Sequence, residues 1–305
     1  MNTPSPNPFG IAQENEKGTV MERQRELDLT GKVVIVTGAS RGVGRQAALY
    51  FAERGAKVVL AARTVEPDNV LPGSMGEAIA KIEAMGGEAL AVQTDLAKRE
   101  DLENLVKVAV DRFGGVDILV NNAAVTVSPA WSKKFLDLPL DEWLYQFDVN
   151  LHAPFILMQL VVPIMESRGG GRIVNVTTGS GEVFRLAEEP SALASNAGRN
   201  LIMPGYFASK RALDRLSNVI APDLAPRGVY VISMHPGWVA SEIVQDRMKK
   251  ITAEESKARV TDGPIPMTIP ARMIVYFSAC ENPGEYSGRI FWAERELADL
   301  GIELP

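Results

Sequence analysis

The apolar run Lys32-Val-Val-Ile-Val-Thr37 passes directly into Gly38-Ala-Ser-Arg-Gly-Val-Gly44, and that segment into Arg45-Gln-Ala-Ala-Leu-Tyr-Phe-Ala-Glu-Arg54, which Gly55 stops. This succession constrains the chain more than any other. The β-branched run suits a strand buried on both faces, and the last segment carries a helical apolar pattern. Between them, backbone without Cβ atoms can turn tightly. Together with the free N–H groups and positive dipole of a helix start, it makes a place where a pyrophosphate can be held. A glycine cluster alone is explained as readily by a turn; here both flanks are of the kind the anion site requires.

The pattern then repeats. Residues 57–62, 88–93, 117–121, 172–178 and 229–234 read as further strands, and 77–85, 101–113, 141–165 and 206–224 as helices. Such alternation requires right-handed crossovers and predicts an α/β fold, a single-domain doubly wound parallel sheet with ligands beyond the carboxyl ends of its strands. Hydrophobic residues make up 46% of the 305, enough for one large core, so residues 29–305 are read as one catalytic domain. Residues 1–28, rich in proline and polar residues without apolar periodicity, read as a flexible extension or an arm packed on a neighbouring subunit, with no secretory signal. The stretch 151–165 is short for a bilayer and is interrupted by Pro154, Gln159 and Pro163, so it reads as a buried helix and no membrane association is expected. A single cysteine, Cys280, excludes an intramolecular disulfide and fits a small core thiol in a reducing, cytoplasmic setting. The net charge of −6 argues against a nucleic-acid partner. No clustered metal ligands stand out. The two histidines read as a packing residue (His152) and a neighbour of a ligand loop (His235).

Tyr206 and Lys210, in Gly205-Tyr-Phe-Ala-Ser-Lys210, fall one turn apart on a helix face. A phenol beside a cation has its phenolate stabilised and can serve as acid or base near neutrality, chemistry that suits a carbonyl group. Upstream, Pro154 has no N–H for the carbonyl of Asn150, which leaves that carbonyl available to water.

Thr37-Gly-Ala-Ser-Arg-Gly-Val-Gly44, Asp95-Leu96, Asn121-Asn-Ala-Ala124, Asn150, Tyr206-x3-Lys210 and Pro236-Gly-Trp-Val239 occur in the order of the short-chain dehydrogenase/reductase family, which the chain resembles over about residues 30–293. The resemblance implies a Rossmann fold. It implies a small-molecule carbonyl or alcohol substrate and a homodimer or homotetramer. It also implies that Asn150, Tyr206 and Lys210 form a proton relay through an ordered water, with Lys210 on the nicotinamide ribose. Gly38, Ser40, Arg41, Val43 and Gly44 would cradle the dinucleotide, Asp95 and Leu96 its adenine. Asn122, Ala123, Pro236, Gly237, Val239 and Ser241 would pass close to the remainder. Where a carboxylate at the end of the second strand would select NAD, the chain has Ala62 followed by Arg63; with Arg41 this favours NADP(H), whose extra phosphate two guanidinium forks can clamp.

Two departures from the family pattern matter. Its substrate-orienting serine is replaced in the alignment by Thr178, which keeps the hydroxyl, with Ser180 as the rival because alternate residues of an extended strand face the same way. The connection 179–205 is longer than usual and, with the region 240–265, would cover the substrate; Phe184, Leu186, Leu193, Leu201, Ile202, Met203, Ile243, Val244, Met248 and Ile251 are its candidate apolar contacts. The expected activity is NADP(H)-dependent reduction of a ketone or aldehyde. The oxidative direction, as an alcohol or hydroxysteroid dehydrogenase, and a non-catalytic NADP(H)-sensing protein are the alternatives.

Overall fold

The computed structural model describes residues 27–66, 72–125, 135–178, 204–250 and 264–299. The run after Lys32 forms β1 (Val33–Thr37), with all five residues buried. The chain continues through α1 (Gly42–Ala52), β2 (Lys57–Ala62), α2 (Met75–Ala84), β3 (Glu88–Gln93), α3 (Arg99–Phe113) and β4 (Ile118–Asn121). The second half brings α4 (Leu140–Phe147), a π-helical turn (Asp148–His152), α5 (Ala153–Ser167), β5 (Gly171–Val176), α6 (Pro204–Leu224) and β6 (Val229–His235). It ends with α7 (Glu242–Lys250), α8 (Thr268–Ala279), β7 (Ile290–Trp292) and α9 (Ala293–Asp299). Seven strands form one sheet in the order β3-β2-β1-β4-β5-β6-β7, every pair parallel. This is the doubly wound α/β sheet expected. Strand order reverses between β1 and β4, which opens a crevice at their carboxyl ends.

The period of two along β1 divides the core. Val34 and Val36 face one side, with Ala47 and Phe51 of α1, Ile82 of α2 and Phe277 of α8. Val33 and Ile35 face the other, with Leu102, Leu105 and Ala109 of α3, Leu157 and Val161 of α5 and Leu213 of α6. Because both faces are covered, the strands read as continuous apolar runs. At α2, the Ser74 hydroxyl accepts from the N–H of Glu77, a capping bond that starts the helix two residues before the apolar pattern suggests.

Pro154 disturbs its helix as anticipated. The segment read as one helix over 141–165 is α4, a wide turn and α5; the Ala153 N–H reaches back five residues to the carbonyl of Asp148. Helix with one residue too many per turn is a π-bulge, a local widening often found at functional sites. Together these pieces make a helix of 28 residues, Leu140–Ser167, longer than the stretch judged from sequence and apolar enough by composition to cross a bilayer. Its apolar side is taken by the domain's own core, where Leu157, Met158, Val161 and Met165 pack under the sheet. β7, α8 and α9 are not among the elements expected from the sequence. Three residues are too few to show a strand period, and Ile290–Trp292 is a strand because β6 supplies its partner.

Candidate active site

The glycine turn is held by its neighbours rather than by glycine alone. The Thr37 hydroxyl donates to the Val120 carbonyl (3.2 Å) and accepts from the N–H groups of Asn122 (3.0 Å) and Ala123 (3.1 Å). The Asn122 amide donates back to the carbonyls of Thr37 (2.9 Å) and Gly38 (3.3 Å). These bonds staple the turn to the end of β4, so closely that a Cβ on Gly44 would stand 2.5 Å from the Gly38 carbonyl oxygen. Sequence reasoning placed Asn122 and Ala123 beside the cofactor but gave Thr37 no such organising part.

In front of the turn lies a cleft of about 580 Å³. Gly38, Ser40, Arg41, Val43, Arg63, Asp95, Leu96, Asn122, Ala123 and Ser241 all line it. Gly44 is buried beneath the turn, whereas Pro236, Gly237 and Val239 are not among the lining residues; Val239 is buried and bridges to Ile265, and Gly237 is exposed and adopts φ +80°. Residues not picked from the sequence belong to the lining as well, Tyr145 and Glu242 among them. The Tyr145 phenol accepts from Arg63 Nη1 at 3.1 Å, and Glu242 Oε2 accepts from the N–H of Gly42, the first residue of α1, at 3.0 Å. A carboxylate thus stands at the helix start where a phosphate would be held, a direct indication that this backbone accepts an anion. Glu242 lies two hundred residues from Gly42, and no local pattern links them.

The other cofactor candidates have defined partners. Arg41 Nη2 lies 3.5 Å from the Thr64 hydroxyl, so both predicted guanidinium groups flank the end of β2, where Ala62 leaves no competing acid. Asp95 Oδ1 accepts from the Ala97 N–H (3.1 Å), which shapes its turn. The Ser241 hydroxyl accepts from the Val244 N–H (3.4 Å) and so caps α7, the first segment of the expected substrate cover. Residues 179–203, Ser180 among them, and residues 251–263 lie outside the described residues, as do the first 26 residues and the Met248 side chain.

Beside the cleft, β5 ends at Val176, two residues earlier than read, and Thr178 follows it. The Thr178 hydroxyl is hydrogen-bonded to the Tyr206 phenol. Lys210, 1% exposed, donates from Nζ to the Val176 carbonyl at 2.7 Å. Asn150 is fully buried; its Oδ1 accepts from the Val125 N–H (2.9 Å) and its Nδ2 donates to Ser209 Oγ (3.1 Å), which in turn donates to the Tyr206 carbonyl (3.0 Å). The four catalytic candidates therefore meet where β5, the π-helical turn and α6 converge.

The electrostatics differ from the expectation that Lys210 lowers the Tyr206 pKa. Burial pushes the phenol up, only partly opposed by the bond to Thr178. Lys210 itself is pushed down to about 8 by burial, against the attraction of Asp214. The physical reason is that desolvation disfavours the charged form of both groups, phenolate and ammonium alike. His152 is not a packing residue; it is exposed and pairs with Asp148 at 2.9 Å. Cys280 is a buried thiol, pushed up to about 11 by burial, in keeping with a core role. Among the described residues no group of three or more His, Cys, Asp or Glu could hold a metal ion.

The pattern of the short chain dehydrogenase family matches residues 32–189 and 191–252. The chain is 33% identical to a 3-oxoacyl-[acyl-carrier-protein] reductase of Synechocystis sp. over 220 residues, 72% of this chain and 78% of the relative. It is 30% identical to a 7alpha-hydroxysteroid dehydrogenase of Escherichia coli over 234 residues, 77% and 80% of the respective lengths. The solved structure of a 7 alpha-hydroxysteroid dehydrogenase complexed with NADH and 7-oxo glycochenodeoxycholic acid superposes with a TM-score of 0.68 at 28% identity, covering 88% of this chain and 94% of that one. The chain belongs to the short-chain dehydrogenase family and is an oxidoreductase of the class that interconverts CH–OH and C=O groups with a nicotinamide cofactor.

Proposed function

We propose that the chain is an NADP(H)-dependent reductase of a small ketone or aldehyde, able to run in reverse. The observation that carries this reading is the hydrogen bond between Thr178 and Tyr206 at the carboxyl end of β5, beside the cleft and one helical turn from Lys210. When bound, the dinucleotide supplies the hydride that the carbonyl carbon accepts. Thr178 and Tyr206 hold the carbonyl oxygen between two hydroxyls, and Tyr206 gives it the proton as the oxygen becomes anionic. Burial keeps the phenol protonated at neutral pH, which suits a donor. Lys210 orients the cofactor ribose, and Asn150, with its carbonyl denied the N–H of Pro154, anchors the water that restores the proton. Gly38, Ser40, Val43 and Gly44 would surround the diphosphate, Asp95 and Leu96 the adenine, and Asn122, Ala123, Pro236, Gly237, Val239 and Ser241 the nicotinamide half. Arg41 and Arg63 favour the phosphorylated dinucleotide.

The hydroxysteroid dehydrogenases among the relatives support the second reading, oxidation of an alcohol, since the same residues serve both directions. A non-catalytic NADP(H)-binding protein would have no use for the Thr178–Tyr206 pair. Exposed Leu140, Leu144, Phe155 and Phe207 on α4, α5 and α6 support self-association into a dimer or tetramer, and the single buried thiol a reducing, cytoplasmic setting. The test is a panel of ketones, aldehydes and their alcohols with NADPH, NADH and the oxidised forms, followed at the nicotinamide absorbance. Turnover of a carbonyl with NADPH is expected. Binding of NADPH with no turnover across the panel would favour the sensing protein, and preference for NADH would overturn the cofactor assignment.

A further inference from the structure

The sheet face under α6 carries a band of polar side chains that the reaction as described does not use. Asn121, Asn175 and Ser233 stand in register across β4, β5 and β6, and Thr177 and His235 follow two residues nearer the site. None is more than 2% exposed. From α6, Lys210, Asp214 and Ser217 are buried to the same degree. Some of these groups satisfy one another: Asn121 Nδ2 donates to Asn175 Oδ1 and Asn175 Nδ2 to Ser217 Oγ, both at 2.8 Å. Asp214 Oδ2 lies 3.3 Å from His235 Nε2 and 3.3 Å from Arg211 Nη1. Asp214 Oδ1 and His235 Nδ1 are buried without a partner among the described residues.

A buried carboxylate is costly unless it answers an opposite charge. One is at hand. Beside Arg211, which pairs with Asp214 from the more exposed side, Lys210 lies one helical turn before Asp214 on the same helix; its Nζ is bonded to a neutral carbonyl, and among the described residues the ammonium has no charged partner in direct contact. We infer that Asp214 is a positioning residue for Lys210: its carboxylate, held by His235 and Arg211, is the counter-charge that keeps Lys210 an ammonium in the buried site. The inference rests on the proposed role of Lys210 in the proton relay.

Burial alone lowers the Lys210 pKa, and the attraction of Asp214 is what opposes the fall, leaving it at about 8. The groups around the pair act consistently. From α6 itself Arg211 is a cation whose Nη1 stands 3.3 Å from Asp214 Oδ2. From β6 comes His235, against which the Trp292 ring of β7 stacks edge-on at 5.0 Å. β5 offers the Val176 carbonyl, and the π-helical turn reaches this part of α6 through the neutral bond of Asn150 to Ser209. The sign follows: without Asp214, Lys210 loses its proton at a lower pH, and activity that needs the ammonium is lost earlier as pH rises.

The test is the isosteric Asp214→Asn in the full chain, read in two ways. The Lys210 Nζ titration is followed in ¹⁵N spectra of lysine-labelled protein, with Lys210→Arg assigning the resonance, and the pH profile of kcat is measured with NADPH and the best substrate of the panel. Both the titration and the alkaline limb should move to lower pH, with kcat at the wild-type midpoint falling about fivefold for the first unit of displacement and about tenfold for each further unit. Asp214→Glu, which restores the charge, should bring both back. A uniform loss of kcat with an unmoved Lys210 titration would mean a merely structural carboxylate and overturn the inference. If Asp214→Asn does not fold, Lys210→Met/Asp214→Asn, which removes both charges, should fold; failure of that variant as well would overturn it too. The titration is read without turnover, so a moved resonance together with an active Lys210→Met would leave the counter-charge standing and instead refute the catalytic reading of Lys210.

Discussion

Replacing Glu242 by glutamine should tighten the binding of nicotinamide dinucleotides. The Glu242 carboxylate accepts from the Gly42 N–H at 3.0 Å, at the start of α1, where the proposed diphosphate must sit. Cofactor binding therefore has to displace it. A hydrogen bond to a charged group contributes about 1.5–3 kcal/mol, and a charge at a helix start about 0.3–1 kcal/mol. Glu242 is only partly buried, so solvent screening brings the contact toward the lower ends of both ranges, about 1–2 kcal/mol together. Glutamine keeps the length and an acceptor but removes the charge, and most of that energy no longer opposes the cofactor. The expected gain is about 5- to 30-fold in Kd. Titration calorimetry with NADPH and with NADH should find both cofactors tightened alike, because both carry the diphosphate, and the gain should shrink as salt rises. Unchanged or weaker binding of both cofactors to folded Glu242→Gln would refute the reasoning, since the carboxylate would then not compete for the α1 start.

Tyr206→Phe should remove most turnover while the Kd for NADPH stays within a few fold, because only the proton donor is deleted; near-normal kcat would defeat the assignment. In the wild type, burial raises the phenol pKa, so the donor stays protonated and reduction should be sustained through neutral pH and fall only in the alkaline range; a fall that begins below neutrality in initial-rate profiles would contradict this. Thr178→Val should lower kcat/KM by roughly 10² or more while Thr178→Ser stays active, and a folded, active Thr178→Val beside a crippled Ser180→Ala would transfer the orienting role to Ser180. Arg41→Ala/Arg63→Ala should weaken NADPH by roughly 10- to 100-fold, the loss of one to two charged contacts, with little change for NADH; equal losses in a titration would refute phosphate recognition by this pair.

Much of the architecture is legible in the order of residues because its signals are local. Strand β1 with its glycine turn, the alternation of periods and the i, i+4 placement of Tyr206 and Lys210 all lie within short windows, and Pro154 announces the widened helix at Asn150 through a missing N–H. These determine a doubly wound sheet and where along the chain its ligand loops fall. What tertiary structure decided are relations between windows. β7 exists because β6 presents an edge to it, and Glu242 reaches Gly42 across two hundred residues. The sequence put a cation beside a phenol and so implied a lowered phenol pKa, whereas the fold buries Lys210, partly buries Tyr206 and by desolvation moves the phenol the other way. His235 and Asp214 meet only when β6 is laid under α6. Spacing along a helix can say which side chains are neighbours; how much water and which distant charges surround them is settled by packing, and for buried ionisable groups desolvation outweighs adjacency.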